Sequence, residues 1–263
     1  MELELWQIVV LAIVQGITEF LPISSDGHLV VVAALLAPGQ GAESFELPDL
    51  VVVLHGGTLL SILLFYWRRI QELLWQDWHT ARLIVVATIP AVLVGVPIKL
   101  FAEAWLGDPL LAGIFLIVTG LVLLTARHRP AVQRHYRELG YGTAFLLGMA
   151  QAAAILPGLS RSGCTISTGL RWGLTPVSAA TFSFLMAIPA IGGACTLEAL
   201  SILKAGHLSM PLGHLAVGTA VSFVVGLFAL WWLVRWLESG RFVWFAAWCI
   251  PLGIAVIAWQ LSR

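Results

Sequence analysis

The chain has 263 residues, of which 59% are hydrophobic and only 11% are charged, whereas soluble domains carry about 25% charged residues. A mean hydropathy of +0.94 argues against a soluble enzyme, and a formal net charge of zero with no broad basic face argues against a nucleic-acid partner. Because apolar stretches occupy the whole length, we predict one membrane domain that covers residues 1–263.

The first apolar region, residues 3–36, is interrupted by a polar segment with Gly and Pro from Leu21 to His28. Each arm has about 16 residues, or roughly 24 Å as helix, which is shorter than a hydrocarbon core of roughly 30 Å. We therefore predict a re-entrant hairpin whose tip lines a wet cavity, because non-helical backbone at that depth needs protein or water around it. Region 141–173, broken from Leu156 to Gly163, predicts a second hairpin.

Six other apolar stretches predict full membrane spans. They cover residues 50–66, 83–100, 110–126, 177–200, 214–236 and 242–261. The segment from Arg68 to Arg82 alternates apolar and charged residues and predicts an interfacial helix. The predicted fold is an all-α integral membrane protein with about six transmembrane helices and two re-entrant helical hairpins.

Basic residues are unevenly divided among the predicted loops. Loops 67–82 and 127–140 contain several arginines, whereas loop 37–49 has acidic residues and no Lys or Arg. By the positive-inside rule the first two loops are cytoplasmic and the third is outside. Arg235 and Arg241 then lie inside and both termini outside, with Lys204 and Arg263 as the exceptions.

The two broken regions resemble each other. Gln15 to Gly27 and Gln151 to Gly163 contain Leu-Pro followed by a Ser-rich turn, and they lie 136 residues apart. Each hairpin is followed by three spans, an odd number, so that halves of about 1–130 and 138–263 enter the membrane from opposite faces. We predict an inverted repeat whose two tips meet near the midplane and form the functional site.

The polar residues of the two tips suit phosphate chemistry, and ionisable groups within a membrane are functional by default. Arg161, flanked by hydroxyls and just before a helical stretch that begins near Gly163, can bind a phosphate through its guanidinium and the free N–H groups of the helix start. In the other tip, Glu19 offers a carboxylate for a metal or a proton, Ser25 a hydroxyl nucleophile, and His28 an imidazole base or nucleophile.

Two long motifs carry a resemblance to a known family. The segments QGITEFLPISSDGHL, from Gln15 to Leu29, and PGLSRSGCT, from Pro157 to Thr165, resemble the signature motifs of the undecaprenyl diphosphate phosphatases, also called bacitracin-resistance proteins. The stretch from Phe182 to Pro189 agrees with the same family, so the resemblance covers essentially the whole chain. It implies removal of the terminal phosphate of a C55 polyprenyl diphosphate, with a divalent cation such as Mg²⁺ or Ca²⁺. The family acts at the outer face of the bacterial cytoplasmic membrane and recycles the lipid carrier of cell-wall synthesis.

The resemblance also implies roles for individual residues. The predicted catalytic residues, matched by position to the family's functional residues, are Glu19, Ser25, His28 and Arg161. The predicted phosphate-binding residues are Gln15, Ser24, Ser160, Ser162, Gly163 and Thr165.

Two positions depart from the family pattern. Gln15 stands at the first acidic position of the Glu-rich motif, and Asp26 stands where Thr, Ser or Ala is usual. Glu19 is therefore the predicted metal carboxylate. Asp26 is an alternative ligand, or only a cap for the following helix.

Several residues keep structural alternatives. Ser24 and Ser160 are as suited to hydrogen-bond the backbone as the substrate. His55, in a His-Gly-Gly sequence, either lines the site or lies where helices approach closely at the glycines. Lys99 and Glu198 lie near the ends of spans, where side chains that snorkel toward the interface explain them.

The sequence supports two functions for the site. The first is a phosphatase, with the choice of Ser25 or His28 as nucleophile left open. The alternative is a polyprenyl-phosphate transporter or flippase that uses the same site, because inverted repeats with re-entrant elements are typical of secondary transporters. The predicted partners are the polyprenyl diphosphate and membrane lipids. The sequence does not decide the oligomeric state, for which a homodimer is one alternative.

Overall fold

The computed structural model describes residues 4–36, 48–127, 133–205 and 210–262, and in these ranges the chain forms eleven α-helices and no strand. Most of the predicted acidic loop 37–49 and part of the basic loop 127–140 lie outside the described residues. The helices are α1 (Leu5–Thr18), α2 (Ser25–Leu36), α3 (Pro48–Phe65), α4 (Trp67–Trp75), α5 (Trp78–Phe101), α6 (Pro109–Thr125), α7 (Tyr141–Ala153), α8 (Arg161–Arg171), α9 (Pro176–Ala205), α10 (Leu212–Glu238) and α11 (Ala246–Leu261).

All six predicted spans coincide with helices. Four segments are long and apolar enough to cross a membrane, namely Trp78–Phe101, Pro176–Lys204, Leu212–Glu238 and Phe242–Leu261. The described apolar parts of α3 and α6, Val52–Phe65 and Pro109–Thr125, are shorter. The all-α prediction is therefore confirmed, whereas length and composition support four of the six predicted spans.

The outward surfaces of the long helices are apolar. Val85 and Leu93 of α5, Phe228 of α10 and Ile254 of α11 are all more than half exposed. Soluble monomers rarely expose continuous apolar surface on several helices. This exterior is suited to lipid, as expected for a multi-pass membrane protein.

The segment between α3 and the next span differs from the prediction of one interfacial helix up to Arg82. The short amphipathic helix α4 ends at Trp75. The next helix, α5, begins at Trp78, earlier than the predicted start of the span at residue 83. Asp77 explains the early start, because its Oδ1 accepts a hydrogen bond from the backbone N–H of Thr80 at 3.0 Å and so caps α5.

Both broken regions fold as helix, break and helix. The helices that precede the breaks, α1 and α7, begin 136 residues apart, and so do α2 and α8, which follow them. Both breaks end in the same cap, since Ser24 Oγ accepts a hydrogen bond from Gly27 N at 3.3 Å and Ser160 Oγ accepts one from Gly163 N at 3.1 Å. Each half therefore presents the start of a short helix at the same place in its sequence.

The two tips contact each other. A Cβ on Gly27 would lie 2.8 Å from the Cα of Gly158, and a Cβ on Gly163 would lie 3.5 Å from the Cβ of Pro22. Gly158 has a φ of +87° and would place a Cβ 2.1 Å from the carbonyl oxygen of Ala112, so only glycine fits there. These glycines allow the two breaks to approach within van der Waals distance.

Helices of the first half pack against helices of the second half. The first arm of the first hairpin, α1, packs on α10, and the first arm of the second hairpin, α7, packs on α5. Helix α3 contacts α9, and α6 contacts α11. The largest buried apolar cluster includes Phe20 next to the first break, whose ring lies edge-to-face against Phe184 of α9 with 5.6 Å between centroids. The tips are thus held between spans of both halves.

Candidate active site

A cavity of about 450 Å³ lies where the two tips meet the groove between α5 and α9. At its polar end it is lined from the tips by Thr18, Glu19, Ser24, Ser25, Asp26, Gln151, Ser160 and Arg161. At its other end it reaches Lys99, Leu106 and Glu198. The fold therefore brings the polar residues of both hairpins to one cavity with apolar walls.

Glu19 lies at the centre of the polar end. Its Oε1 accepts a hydrogen bond from Arg161 Nη2 at 2.6 Å, across the two tips. Its Oε2 accepts hydrogen bonds from Ser25 Oγ at 2.8 Å and from Gln15 Nε2 at 3.0 Å. The structure therefore brings together Glu19, Ser25 and Arg161, although Glu19 and Arg161 are 142 residues apart in the sequence.

Arg161 is the first residue of α8, and its position depends on how the second break is held. Thr119 of α6 donates a hydrogen bond from Oγ1 to the carbonyl oxygen of Gly158 at 2.7 Å and accepts one from Ser160 N at 2.9 Å. One guanidinium nitrogen of Arg161 binds Glu19, while Nη1 is buried and has no hydrogen-bond partner among the described residues. A buried donor of this kind is suited to an anionic ligand.

His28 is placed differently from the other three predicted catalytic residues. It is not among the residues that line the cavity. Its Nδ1 lies 2.7 Å from the carbonyl oxygen of Ser24, and its Nε2 accepts a hydrogen bond from Trp248 Nε1 at 2.9 Å. Both ring nitrogens are thus used by the protein when Nδ1 carries the proton. In this structure His28 joins the start of α2 to α11.

The predicted phosphate-binding residues of the second motif divide into two groups. Ser160 lines the cavity while it caps α8. Ser162 lies behind the tip, where its Oγ donates to the carbonyl oxygen of Leu21 at 3.1 Å. Thr165 Oγ1 donates to the carbonyl oxygen of Arg161 at 2.7 Å. Gly163 contributes its N–H to the Ser160 cap. Of these residues, only Ser160 faces the cavity.

In the first motif, Ser24 lines the cavity and also caps α2, so both uses that the sequence allowed for its hydroxyl are compatible with its position. Gln15 is fully buried and is not among the lining residues. Its side chain contacts Glu19. Gln15 therefore orients the carboxylate from behind and does not reach the cavity.

His55 is a cavity residue that the sequence left undecided. Its Nε2 lies 3.9 Å from Glu19 Oε2 and 3.7 Å from Asp26 Oδ1. The neighbouring Gly57 lies where α3 approaches α10, since a Cβ there would be 2.0 Å from Ser222 Oγ. His55 therefore lines the site and also lies where two helices approach closely at a glycine, which are the two alternatives that the sequence left open.

Lys99 and Glu198 form an ion pair that joins α5 to α9 at the far end of the cavity. This pair corrects the expectation that each side chain snorkels separately to the interface. The two residues are 99 positions apart in sequence, and neither lies in a motif, so only the packing of α5 on α9 reveals the contact.

The carboxylates at the cavity suit a cation only in part. Among the described residues, no group of three His, Cys, Asp or Glu side chains is arranged to hold a metal ion. However, Glu19 and the half-exposed carboxylate of Asp26 both line the cavity. Mg²⁺ is commonly bound by one or two carboxylates together with substrate phosphates and water. The residues therefore fit a cation whose remaining ligands come from a phosphate substrate.

Comparison with known proteins gives consistent matches over nearly the full length. Residues 8–255 match the family described as "Bacitracin resistance protein BacA". A protein of Rhodopirellula baltica named undecaprenyl-diphosphatase is 48% identical over 259 residues, covering 98% of this chain and 99% of that protein. Proteins with the same name from Desulforudis audaxviator and Corynebacterium glutamicum are 38% and 37% identical, covering 97% and 95% of this chain and 97% and 89% of those proteins.

Proposed function

Since this chain belongs to the bacitracin resistance protein BacA family, we propose that it is an undecaprenyl-diphosphatase whose active site is the polar end of the cavity between the two tips. It hydrolyses the C55 polyprenyl diphosphate to the monophosphate and inorganic phosphate. The main observation that supports the cavity as the active site is the cluster of Ser25, Glu19 and Arg161, in which one buried guanidinium nitrogen has no partner among the described residues and is available to a ligand.

Binding of the diphosphate is assigned to Arg161 and the start of α8. Nη1 of Arg161 donates to a phosphate oxygen, and the dipole of α8 adds attraction for the anion. Val92, Val96 and Ile191 of α5 and α9 line the adjacent part of the cavity, and their apolar side chains suit the isoprenoid chain next to the diphosphate.

Ser25 is assigned as the nucleophile because its hydroxyl lines the cavity and already donates to Glu19. Its oxygen attacks the terminal phosphorus, its proton passes to Glu19, and the bond from this phosphorus to the bridging oxygen breaks. The lipid monophosphate leaves. Water then hydrolyses the phosphoserine, which restores Ser25 and releases phosphate. Arg161 stabilises the negative charge throughout.

His28 is assigned a positioning role. Its contacts with Ser24 and Trp248 hold the first turn of α2 and hence the direction of the Ser25 hydroxyl. A divalent cation, Mg²⁺ or Ca²⁺, would be held by Glu19 and Asp26 and would neutralise charge on the diphosphate when bound.

The proposed layout is an inverted repeat with six membrane spans and two re-entrant hairpins. The equal spacing of the helix starts supports it, and so does the packing of each hairpin's first arm, α1 on α10 and α7 on α5, against a helix of the other half. The tip contacts support it as well, because Gly27 with Gly158 and Gly163 with Pro22 are the same contact with the halves exchanged. Such reciprocity is what two-fold symmetry gives.

We place the protein in the bacterial cytoplasmic membrane with the site open to the outer leaflet. The cavity extends to Lys99 at the end of α5, and the arginines before α5 assign the opposite end of that helix to the cytoplasm. The transporter alternative receives no support from the named relatives, and we do not propose it. The homodimer stays a prediction, which cross-linking in membranes would test.

The proposed function is tested with purified protein, undecaprenyl diphosphate and Mg²⁺ or Ca²⁺. We expect release of one phosphate per lipid and loss of release in EDTA. With substrate labelled at the terminal phosphate, Ser25→Ala should form no phosphoenzyme, whereas the wild type should form one that is stable in acid, as a phosphoserine is. An acid-labile, base-stable phosphoenzyme would instead assign the attack to a histidine. Absence of phosphate release from the wild type under all cations would refute the enzyme.

A further inference from the structure

Gln151 is a buried amide at the cavity whose hydrogen-bonding groups are not used by the protein. It lies in the last turn of α7, is 3% exposed, and lines the cavity with Arg161. Neither its Nε2 nor its Oε1 has a hydrogen-bond partner among the described residues. Leaving a buried polar group unpaired costs about 1–3 kcal/mol, so such groups in folded proteins call for an explanation.

The equivalent glutamine of the first half shows why the Nε2 of Gln151 is unpaired. Gln15 occupies the same place in the last turn of α1, and its Nε2 donates to Glu19. Its Oε1, like that of Gln151, has no hydrogen-bond partner among the described residues, so the two glutamines differ at Nε2 and in whether they line the cavity. Counting 136 residues from Glu19 leads to Ile155, which has no acceptor and also lines the cavity. The second half therefore keeps the amide but replaces its carboxylate partner with an apolar side chain. The amide is left facing the cavity instead of a protein group.

We propose that Gln151 is a phosphate-binding residue, whose Nε2 donates a hydrogen bond to an oxygen of the substrate's terminal phosphate beside Arg161 Nη1. Inorganic phosphate near neutral pH offers both acceptor oxygens and a P–OH donor, so the same ligand satisfies Nε2 and Oε1. The inference rests on the proposed function for the identity of the substrate. It adds a neutral amide contact from α7 to the charged contacts of the two tips.

The test uses Gln151→Leu in the full-length protein in detergent. Because an unpaired buried amide is replaced by an apolar side chain of similar size, the melting temperature without ligand should stay the same or rise. The rise in melting temperature that inorganic phosphate induces should shrink. KM for undecaprenyl diphosphate should increase roughly tenfold or more, with a smaller change in kcat, because a contact with an anion is lost.

Gln15→Leu is the matched control, since it removes the equivalent glutamine whose amide contacts Glu19 and not the cavity. It should lower kcat and keep the phosphate-induced shift. Should Gln151→Leu unfold, Gln151→Glu decides, because a carboxylate of the same shape would repel phosphate and weaken its binding. An unchanged phosphate-induced shift in the folded Gln151 variant overturns the proposal. This shift is measured without turnover, so it is independent of whether the wild type hydrolyses the lipid.

Discussion

Glu19, which is buried, and Arg161, which is partly buried, form an ion pair to which each hairpin supplies one member. Three side chains donate hydrogen bonds to the carboxylate, whereas the guanidinium keeps one nitrogen without a protein partner. Removing one member of a buried ion pair leaves an uncompensated charge at a cost of about 3–5 kcal/mol. A useful test of Arg161 must therefore keep its charge and change only its geometry.

Arg161→Lys meets that requirement. A lysine ammonium can replace the contact with Glu19, but it has no planar fork with which to bind Glu19 and a phosphate oxygen at once. We expect the variant to fold and kcat/KM for undecaprenyl diphosphate to fall roughly 100-fold or more. Arg171→Lys is the control, because Arg171 lies exposed at the other end of α8. If both variants keep near wild-type phosphate release, the proposed contact of Arg161 with phosphate is wrong.

The sequence predicted residues of the cavity where these lie within a motif, whereas their catalytic roles stay predictions. Glu19, Ser25 and Arg161 stand out because polar groups interrupt apolar sequence. His55 remained undecided and Lys99 was assigned to the interface, because each reaches the cavity only through the packing of separate helices. His28 lies in a motif too, but its contact with Trp248 is not visible in sequence.

At the scale of elements, the contact between the two tips depends on glycine. Gly27 in the first turn of α2 would bring a Cβ to 2.8 Å from the backbone of Gly158, and backbone cannot move aside as the end of a side chain can. Gly27→Ala should therefore separate the tips. We expect a loss of stability of about 1–3 kcal/mol and a lower kcat, measured by thermal unfolding and phosphate release.

Gly142→Ala in α7 is the control for this substitution. A Cβ at Gly142 meets nothing within 4 Å, and alanine is favoured over glycine inside a helix by about 1 kcal/mol. The control should be as stable as the wild type or slightly more stable. A Gly27→Ala protein with unchanged melting temperature and turnover would show that the tips tolerate separation.

A cluster of charged residues on the opposite side from the cavity mouth fixes α4 to the segment before α7. Asp77 forms ion pairs with Arg69 and Arg137 and accepts a hydrogen bond from Thr80 Oγ1 at 2.8 Å. Burial by itself would raise the pKa of Asp77, but the hydrogen bonds from Arg69 and Thr80 outweigh it and lower the pKa from 3.8 to about 2.

The lowered pKa predicts how stability depends on pH. The folded state favours ionised Asp77, so its contribution is complete above the ordinary pKa of 3.8 and is lost as the pH falls through about 2. The melting temperature of Asp77→Asn should therefore lie below that of the wild type at neutral pH. The gap should close as the pH is lowered from about 4 to about 2. If the difference in melting temperature does not change with pH, the effect of Asp77→Asn does not come from the charge of Asp77.

The helices and breaks were largely predictable from sequence, and the reasons are local. Leu-Pro follows the ends of α1 and α7, and the capping residues Ser24 and Ser160 precede α2 and α8, at nearly the predicted positions. The start of α5 was not predicted, because the cap by Asp77 shifts it ahead of the apolar stretch. The assignment of α3 and α6 as full spans also stays a proposal, since their described apolar parts are short.

At the scale of the whole molecule, the distribution of charge relates the cavity to the two sides of the membrane. Helix α10 links the two sides, since Arg235 lies in its last turn and its first turn has no Lys or Arg. The positive-inside rule predicts that its end is cytoplasmic and that its start is outside. The proposed direction of the active site depends on this assignment, because the cavity extends to Lys99 of α5 and Glu198 of α9, at the ends of these helices that we propose to lie on the outer side.

Cysteine labelling at the two ends of α10 tests the orientation, and each end of the helix serves as the control for the other. Leu212, the first residue, and Ser239, just after the last, are both exposed, so either cysteine is open to a reagent on its own side. The native residues Cys164, Cys195 and Cys249 are replaced by alanine beforehand, and retained phosphate release shows that this background is folded. In intact cells a membrane-impermeant thiol reagent should label Leu212→Cys, while Ser239→Cys should react only after the membrane is opened. The reverse pattern would place the mouth of the cavity on the cytoplasmic side, where the lipid diphosphate of the outer leaflet could not reach Arg161.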